Sequence, residues 1–136
     1  MPSPSTYDYA VVRVVPRVER GEFVNAGVIV SCPASGLLVA GIELDEARVR
    51  ALDPYLDLDA LRTHLDAIIR ICRGDPDAGP IGRLPARARF HWLTAQRSTV
   101  VQMSPVHTGR TLDPETVLDR LLTRMVRPPG APKGVA

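Results

Sequence analysis

Residues 7–16, YDYAVVRVVP, set Tyr7, Tyr9, Val11, Arg13 and Val15 against Asp8, Ala10, Val12 and Val14. Both sets are largely apolar, the pattern of a strand inside a sheet with both faces covered. Pro16 stops it, because proline cannot continue a sheet ladder. RVERGE then forms a polar turn, with Gly21 supplying permissive backbone angles. GEFVNAGVIVSCP, residues 21–33, returns as a second strand. CPASG is another turn, and GLLVAGIEL, residues 36–44, a third strand. Such short links predict a three-stranded antiparallel meander.

The apolar period then lengthens. DEARVRALDP predicts a short helix capped by Asp45 and ended before Pro54. In DLDALRTHLDAIIRICRG, residues Leu58, Leu61, Leu65, Ile68, Ile69 and Cys72 share one helix face. Asp57 is placed to cap that helix and Gly74 to end it. Arg62, Asp66 and Arg70 step by four along its solvent side, as a salt-bridge ladder would. The Gly- and Pro-rich stretch 74–89 predicts a loop. FHWLTA (90–95) and STVVQM (98–103) predict two more strands, with Phe90 and Trp92 on one core-facing side, and SPVHTGRTL a loop. DPETVLDRLLTRMV predicts a last helix, with Asp113 as cap, Pro114 in its first turn and Leu118, Leu121, Leu122 and Met125 as buried stripe. The predicted order is β-β-β-α-α-β-β-α. That is an α+β fold: one domain over residues 7–126, with a mostly antiparallel sheet and the helices packed on one face. Residues 1–6 are expected to be flexible and the Pro/Gly-rich stretch 127–136 a disordered tail.

At 136 residues, 45% of them hydrophobic, the chain can bury a core without metals or disulfides. No apolar run reaches the roughly 18 residues that span a bilayer, and MPSPSTYDY lacks the features of a signal peptide. A cytoplasmic protein is expected. Cys32 and Cys72 have no Cys or His at metal-ligand spacing, so free thiols are expected, Cys72 in the core, and no metal site.

Charge changes the picture more. Lys133 is the single lysine among seventeen basic residues. Residues 1–77 hold eight arginines against twelve acids, whereas residues 78–112 hold Arg83, Arg87, Arg89, Arg97 and Arg110 with no acid at all. The same window contains His91, His107, Phe90, Trp92 and six Ser or Thr hydroxyls, among them Ser98, Thr99, Ser104, Thr108 and Thr111. Arginine forks, hydroxyls and an aromatic suit phosphate or nucleic-acid recognition. A basic surface equally suits an acidic protein partner, and a solvated Arg-rich loop would carry the same composition.

Phosphate-cradling glycine loops, HExxH, GxSxG and CxxC are all missing from the sequence. Ser104 and His107 have the residue types of a nucleophile and its base, but no carboxylate lies nearby in sequence to orient the histidine. Asn25 and Gly27 interrupt a strand that otherwise favours burial. Glycine inside a strand costs roughly 0.5–1 kcal/mol relative to alanine, so a bulge, a closely approaching backbone or a ligand contact should offset it. A segment crossing there could be RSTVVQMSPVHTG (97–109). The ligand- or partner-binding candidates are Asn25, Arg87, Arg89, Arg97, Ser98, Ser104 and His107. No residue qualifies as catalytic, and no cofactor is indicated.

The blocks YDYAVVRVVPRVERGEFVNAGVIV, LDEARVRALDP, LDALRTHLDAI and RFHWLTAQRSTVVQMSPVHTG together resemble a bacterial family of unassigned function, domain-of-unknown-function family 3037, over about residues 7–126. The resemblance implies no catalytic residues. It implies a neighbourhood: genes of this kind often stand beside a HipA-like kinase. Three functions are therefore in view. The first is a non-catalytic binding module, with a HipA-like kinase as possible partner, using the Arg-rich stretch 78–112. The second is a phosphate-ligand or nucleic-acid binder, and the third a small enzyme around Asn25 and Arg97–His107.

Overall fold

A computed structural model describes residues 3–95, 97 and 99–130. The meander is present: β1 (Ser5–Val14), β2 (Val24–Cys32) and β3 (Leu37–Ile42) pair antiparallel in the order β3-β2-β1. Its turns close on Gly21 and Gly36, each with a left-handed backbone. The free side of β1 is taken by two short strands laid end to end. β4 (Val101–Met103) pairs with residues 12–14 and β5 (His107–Thr111) with residues 5–9. β1 is thus the central strand, as its two apolar faces require.

Between β3 and β4 lie α1 (Glu46–Leu52), α2 (Leu58–Arg73), α3 (Gly79–Gly82) and α4 (Ala86–Thr94); α5 (Val117–Met125) follows β5. The Asp45 carboxylate accepts the Arg48 N–H, and the Asp57 carboxylate that of Ala60, so both predicted caps are made. Gly74 ends α2 at φ +68°, where a Cβ would strain the chain. Of the expected ladder, Arg70 bonds Asp66, but Arg62 turns instead to Asp59 and Glu46. The α2 stripe is as expected, except that Ile71 is buried and Ile69 only half so.

The α+β class and the antiparallel sheet hold, but the helices cover both faces and not one. One core joins Val12, Val14, Val24, Ala26 and Ile29 to Val49 of α1, the α2 stripe, and Phe90 and Leu93 of α4. The other joins Tyr7, Val28, Val30 and Cys32 to Val117, Leu121 and Leu122 of α5, and to Val126. Alternation along β2 is what sends consecutive residues to opposite cores. In α5, Leu118 and Met125 only pack against the edge of that core.

Three local expectations are corrected. FHWLTA is helical, as the end of α4. Ala86, Arg87, Ala88 and Arg89 favour helix strongly, and Phe90 and Leu93, three apart, make its buried face. Trp92, expected beside Phe90 in the core, is turned outward and is 40% exposed. STVVQM contributes only the three residues of β4. SPVHTGRTL, expected as loop, supplies β5: its threonines extend, and Gly109 leaves room for the Tyr7 ring. Of the expected tail, Arg127 is pinned by Glu43 and Asp119, while residues 131–136 lie outside the described residues.

Candidate functional site

The acid-free stretch does not present its arginines as one array. Arg87, on α4, lies 5.1 Å from the Phe90 ring centre and reaches down to the sheet. It donates to Asp8 Oδ2 (2.5 Å) and to the Ser31 hydroxyl (2.9 Å), while Thr108 of β5 donates to Asp8 Oδ1 (2.6 Å). Burial pushes the Asp8 carboxyl up, but the hydrogen bonds from Thr108 and Arg87 outweigh it and hold the group below the usual carboxylate range. A folded-state value below the unfolded one stabilises the fold above pH ~4, and that contribution is lost as pH falls through the folded value. Asp8→Asn should therefore cost about 1–2 kcal/mol at pH 7, the range for hydrogen bonds to a charged group, reduced because Arg87 is partly exposed. It should also flatten the acid limb. Urea unfolding at pH 7 and pH 3.5 checks this: the wild type should lose more stability than the variant between them.

Arg89 turns away from solvent to the end of α2. Its guanidinium donates to the carbonyls of Ile71 (2.8 Å) and Cys72 (2.7 Å), and to Leu84 (2.9 Å). The Ile71 and Cys72 carbonyls lie at the negative end of α2, where a cation is favoured. Cys72, beneath it, is buried as a free thiol; burial raises its pKa to about 12, against a smaller opposite pull from Arg89. Arg97 does for α4 what Arg89 does for α2. It donates to the carbonyls of Trp92 (2.8 Å) and Leu93 (3.2 Å), with its guanidinium 4.3 Å from the Trp92 ring centre. Ser98 lies outside the described residues. Beside Arg97 a hollow of about 100 Å³, lined by Ile68, Leu93, Val101, Met103 and His64, opens between α2, α4 and β4. It is smaller than the 300–1,000 Å³ of ordinary ligand pockets.

Ser104 is buried between β4 and β5. Its hydroxyl accepts the Val11 N–H (2.8 Å) and donates to the Pro105 carbonyl (2.9 Å). It stands in for a ladder bond where the chain passes from one short strand to the next. His107 is exposed, its ring 5.4 Å from that of Tyr9. The two side chains share no hydrogen bond among the described residues.

Asn25 belongs to a β-bulge. Val12 pairs with Gly27 and Arg13 with Asn25, leaving Ala26 as the extra residue. The bulge reverses the alternation. Val24 and Ala26 join Ile29 in the α2-side core, and Asn25 faces α5, where its amide donates to the Met125 carbonyl (2.9 Å). Residues 97–109 do not cross here, because β1 stands between β2 and β4. The close backbone at Gly27 is that of β3: a Cβ would lie 2.5 Å from the Gly41 carbonyl oxygen.

The bulge brings in a residue that was not among the candidates. Arg13 pairs with Asn25 on one side and with Gln102 on the other. Its guanidinium lies 4.2 Å from the Phe23 ring centre. Arg13 Nε and Asn25 Oδ1 are both buried without a hydrogen-bond partner. The available signal was an arginine in an otherwise apolar central strand.

Two further absences concern the described residues: no group of three or more His, Cys, Asp or Glu side chains is placed to hold a metal, and no helix is long and apolar enough to cross a membrane. A family model described as protein of unknown function (DUF3037) matches residues 9–126. No curated protein and no solved structure matches the chain.

Proposed function

We infer a binding role for this chain, which belongs to the DUF3037 family and whose geometry favours binding over chemistry. We propose a non-catalytic binding module that captures an extended, acidic segment of a partner protein along the outer edge of β5. With Arg87, Arg89 and Arg97 engaged inside the fold, the acid-free stretch keeps Arg83 and Arg110 exposed. Arg110 lies on β5, between exposed Val106 and Leu112.

The single observation carrying the proposal is that edge. Val11 and Val15 turn their backbone groups toward β4, to Ser104 and Val100. By strand alternation Tyr7 and Tyr9 do the same, facing Gly109 and His107. Thr108 and Arg110 then direct their N–H and C=O groups outward, where no strand pairs with them among the described residues. An open edge is a template for strand addition, and the exposed Arg110 side chain on it favours an acidic strand. A HipA-like kinase is the partner to try first.

Arg110→Pro removes one outward N–H without touching the β1 ladder, a position where an edge strand tolerates proline. Arg110→Glu reverses the charge. Co-purification with a co-expressed HipA-like kinase should succeed for the wild type and fall at least tenfold for either variant. Absence of a complex at micromolar concentration, or equal capture by all three, would overturn the proposal.

A further inference from the structure

We propose that Arg13 anchors a binding site for an oxyanion, a carboxylate or a phosphate, on the α5 side of the sheet. This is independent of the β5 edge, and it uses none of the arginines of the acid-free stretch.

The first reason is position. Arg13 stands on the central strand, between β2 and β4, where a long cationic side chain loses hydration and would be expected to find a partner. Arg20, Arg62, Arg70, Arg87 and Arg127 rest on carboxylates, and Arg89 and Arg97 on helix-end carbonyls. Arg13 has neither among the described residues. Its neighbour is instead an aromatic face, the Phe23 ring. Stacking fixes the guanidinium plane while leaving its N–H fork unused, a pre-oriented arrangement suited to two parallel bonds to an oxyanion.

The second reason is the unsatisfied pair. Arg13 Nε is a donor and Asn25 Oδ1 an acceptor; both are buried and unpartnered on neighbouring positions of two paired strands. Asn25 reaches this place only because the bulge turns it there, and its amide group is fixed by the Met125 carbonyl. Strand pairing places Asn25 on the same face of the sheet as Arg13. An anion that carries an O–H beside its charged oxygens satisfies both groups at once: the oxygens accept from Arg13, and the hydroxyl donates to Asn25. A protonated phosphate and an α-hydroxy carboxylate each have that pattern.

The test is an NMR titration of the whole chain with inorganic phosphate and, separately, with glycolate, following the Arg13 Nε–H resonance. The expected result is a saturable shift at millimolar concentration with at least one anion, and the anion that acts identifies the chemistry. Arg13→Lys should weaken binding at least tenfold, because an ammonium lacks the fork. Asn25→Asp, of the same shape but anionic, should weaken it similarly, and Arg97→Lys should leave it unchanged. The amide spectra report folding of each variant, so a folded Arg13→Lys or a folded Asn25→Asp is enough to decide between the outcomes. No saturable shift with either anion, or unchanged affinity in the folded variants, would overturn the site.

Discussion

Phe90→Ala should destabilise the protein by about 4 kcal/mol, the middle of the range for emptying a buried phenylalanine site. Phe90 is fully buried where α4 meets the sheet, in the same core as Val12, Val14 and the α2 stripe. The loss would be a large share of the roughly 5–15 kcal/mol that holds a domain together. Trp92→Ala is the companion measurement. Trp92 is 40% exposed and its ring carries the Arg97 guanidinium, so its removal should cost about 1 kcal/mol, as for a surface stacking contact. On a strand the two residues would share a face and cost similarly. Urea unfolding of both variants therefore tests stability and the helical assignment of residues 86–94 together.

Gly27→Val is the second large effect, expected at about 3 kcal/mol, the upper part of the usual overpacking range. A Cβ at residue 27 would lie 2.5 Å from the Gly41 carbonyl oxygen and 2.6 Å from Ile42 Cδ1. The first obstacle is backbone, and moving it disturbs the β2–β3 ladder. Gly41→Ala makes the contrast. There the nearest atom is Leu122 Cδ1 at 2.8 Å, the far end of a flexible side chain, so a rotamer change relieves most of the contact. Thermal or urea unfolding should rank the two losses clearly, with Gly27→Val well below Gly41→Ala in stability.

The meander, α1, α2 and α5 were legible because each has a long enough period and its own punctuation: Pro16 and Gly21, Asp45, Asp57 and Gly74, Asp113 and Pro114. The stretch 86–111 was not. FHWLTA is too short for alternation to be told from an i, i+3 pattern, and its aromatics favour strand by composition. The helix formers that decide the matter, residues 86–89, sat in a stretch dominated by glycine and proline. β5 was hidden for another reason. HTGRT has no apolar alternation, since it is held by pairing with β1 more than by its own burial.

The two-sided packing was implicit in β1. A strand apolar on both faces needs cover on both, and helices on one face could not supply it. The site was legible only in part. Asn25 and Gly27 did mark a bulge and a close backbone, but the segment near Gly27 is β3, and the residue the bulge completes is Arg13. The charge pattern identified the basic stretch without revealing which guanidiniums fold inward. That depends on where α2 and α4 end, because helix-end carbonyls are what hold Arg89 and Arg97.

The central claim is that this basic stretch binds through the outer edge of β5. Amide hydrogen exchange, measured for the chain alone and in the presence of a HipA-like kinase, tests it most directly. In the free chain the amides of Gly109 and Thr111, bonded to β1, should be protected, while those of Thr108 and Arg110 exchange fast. In the complex Thr108 and Arg110 should become protected as a strand adds beside them. Slow exchange of Arg110 in the free chain, or fast exchange of both in the complex, would contradict the account.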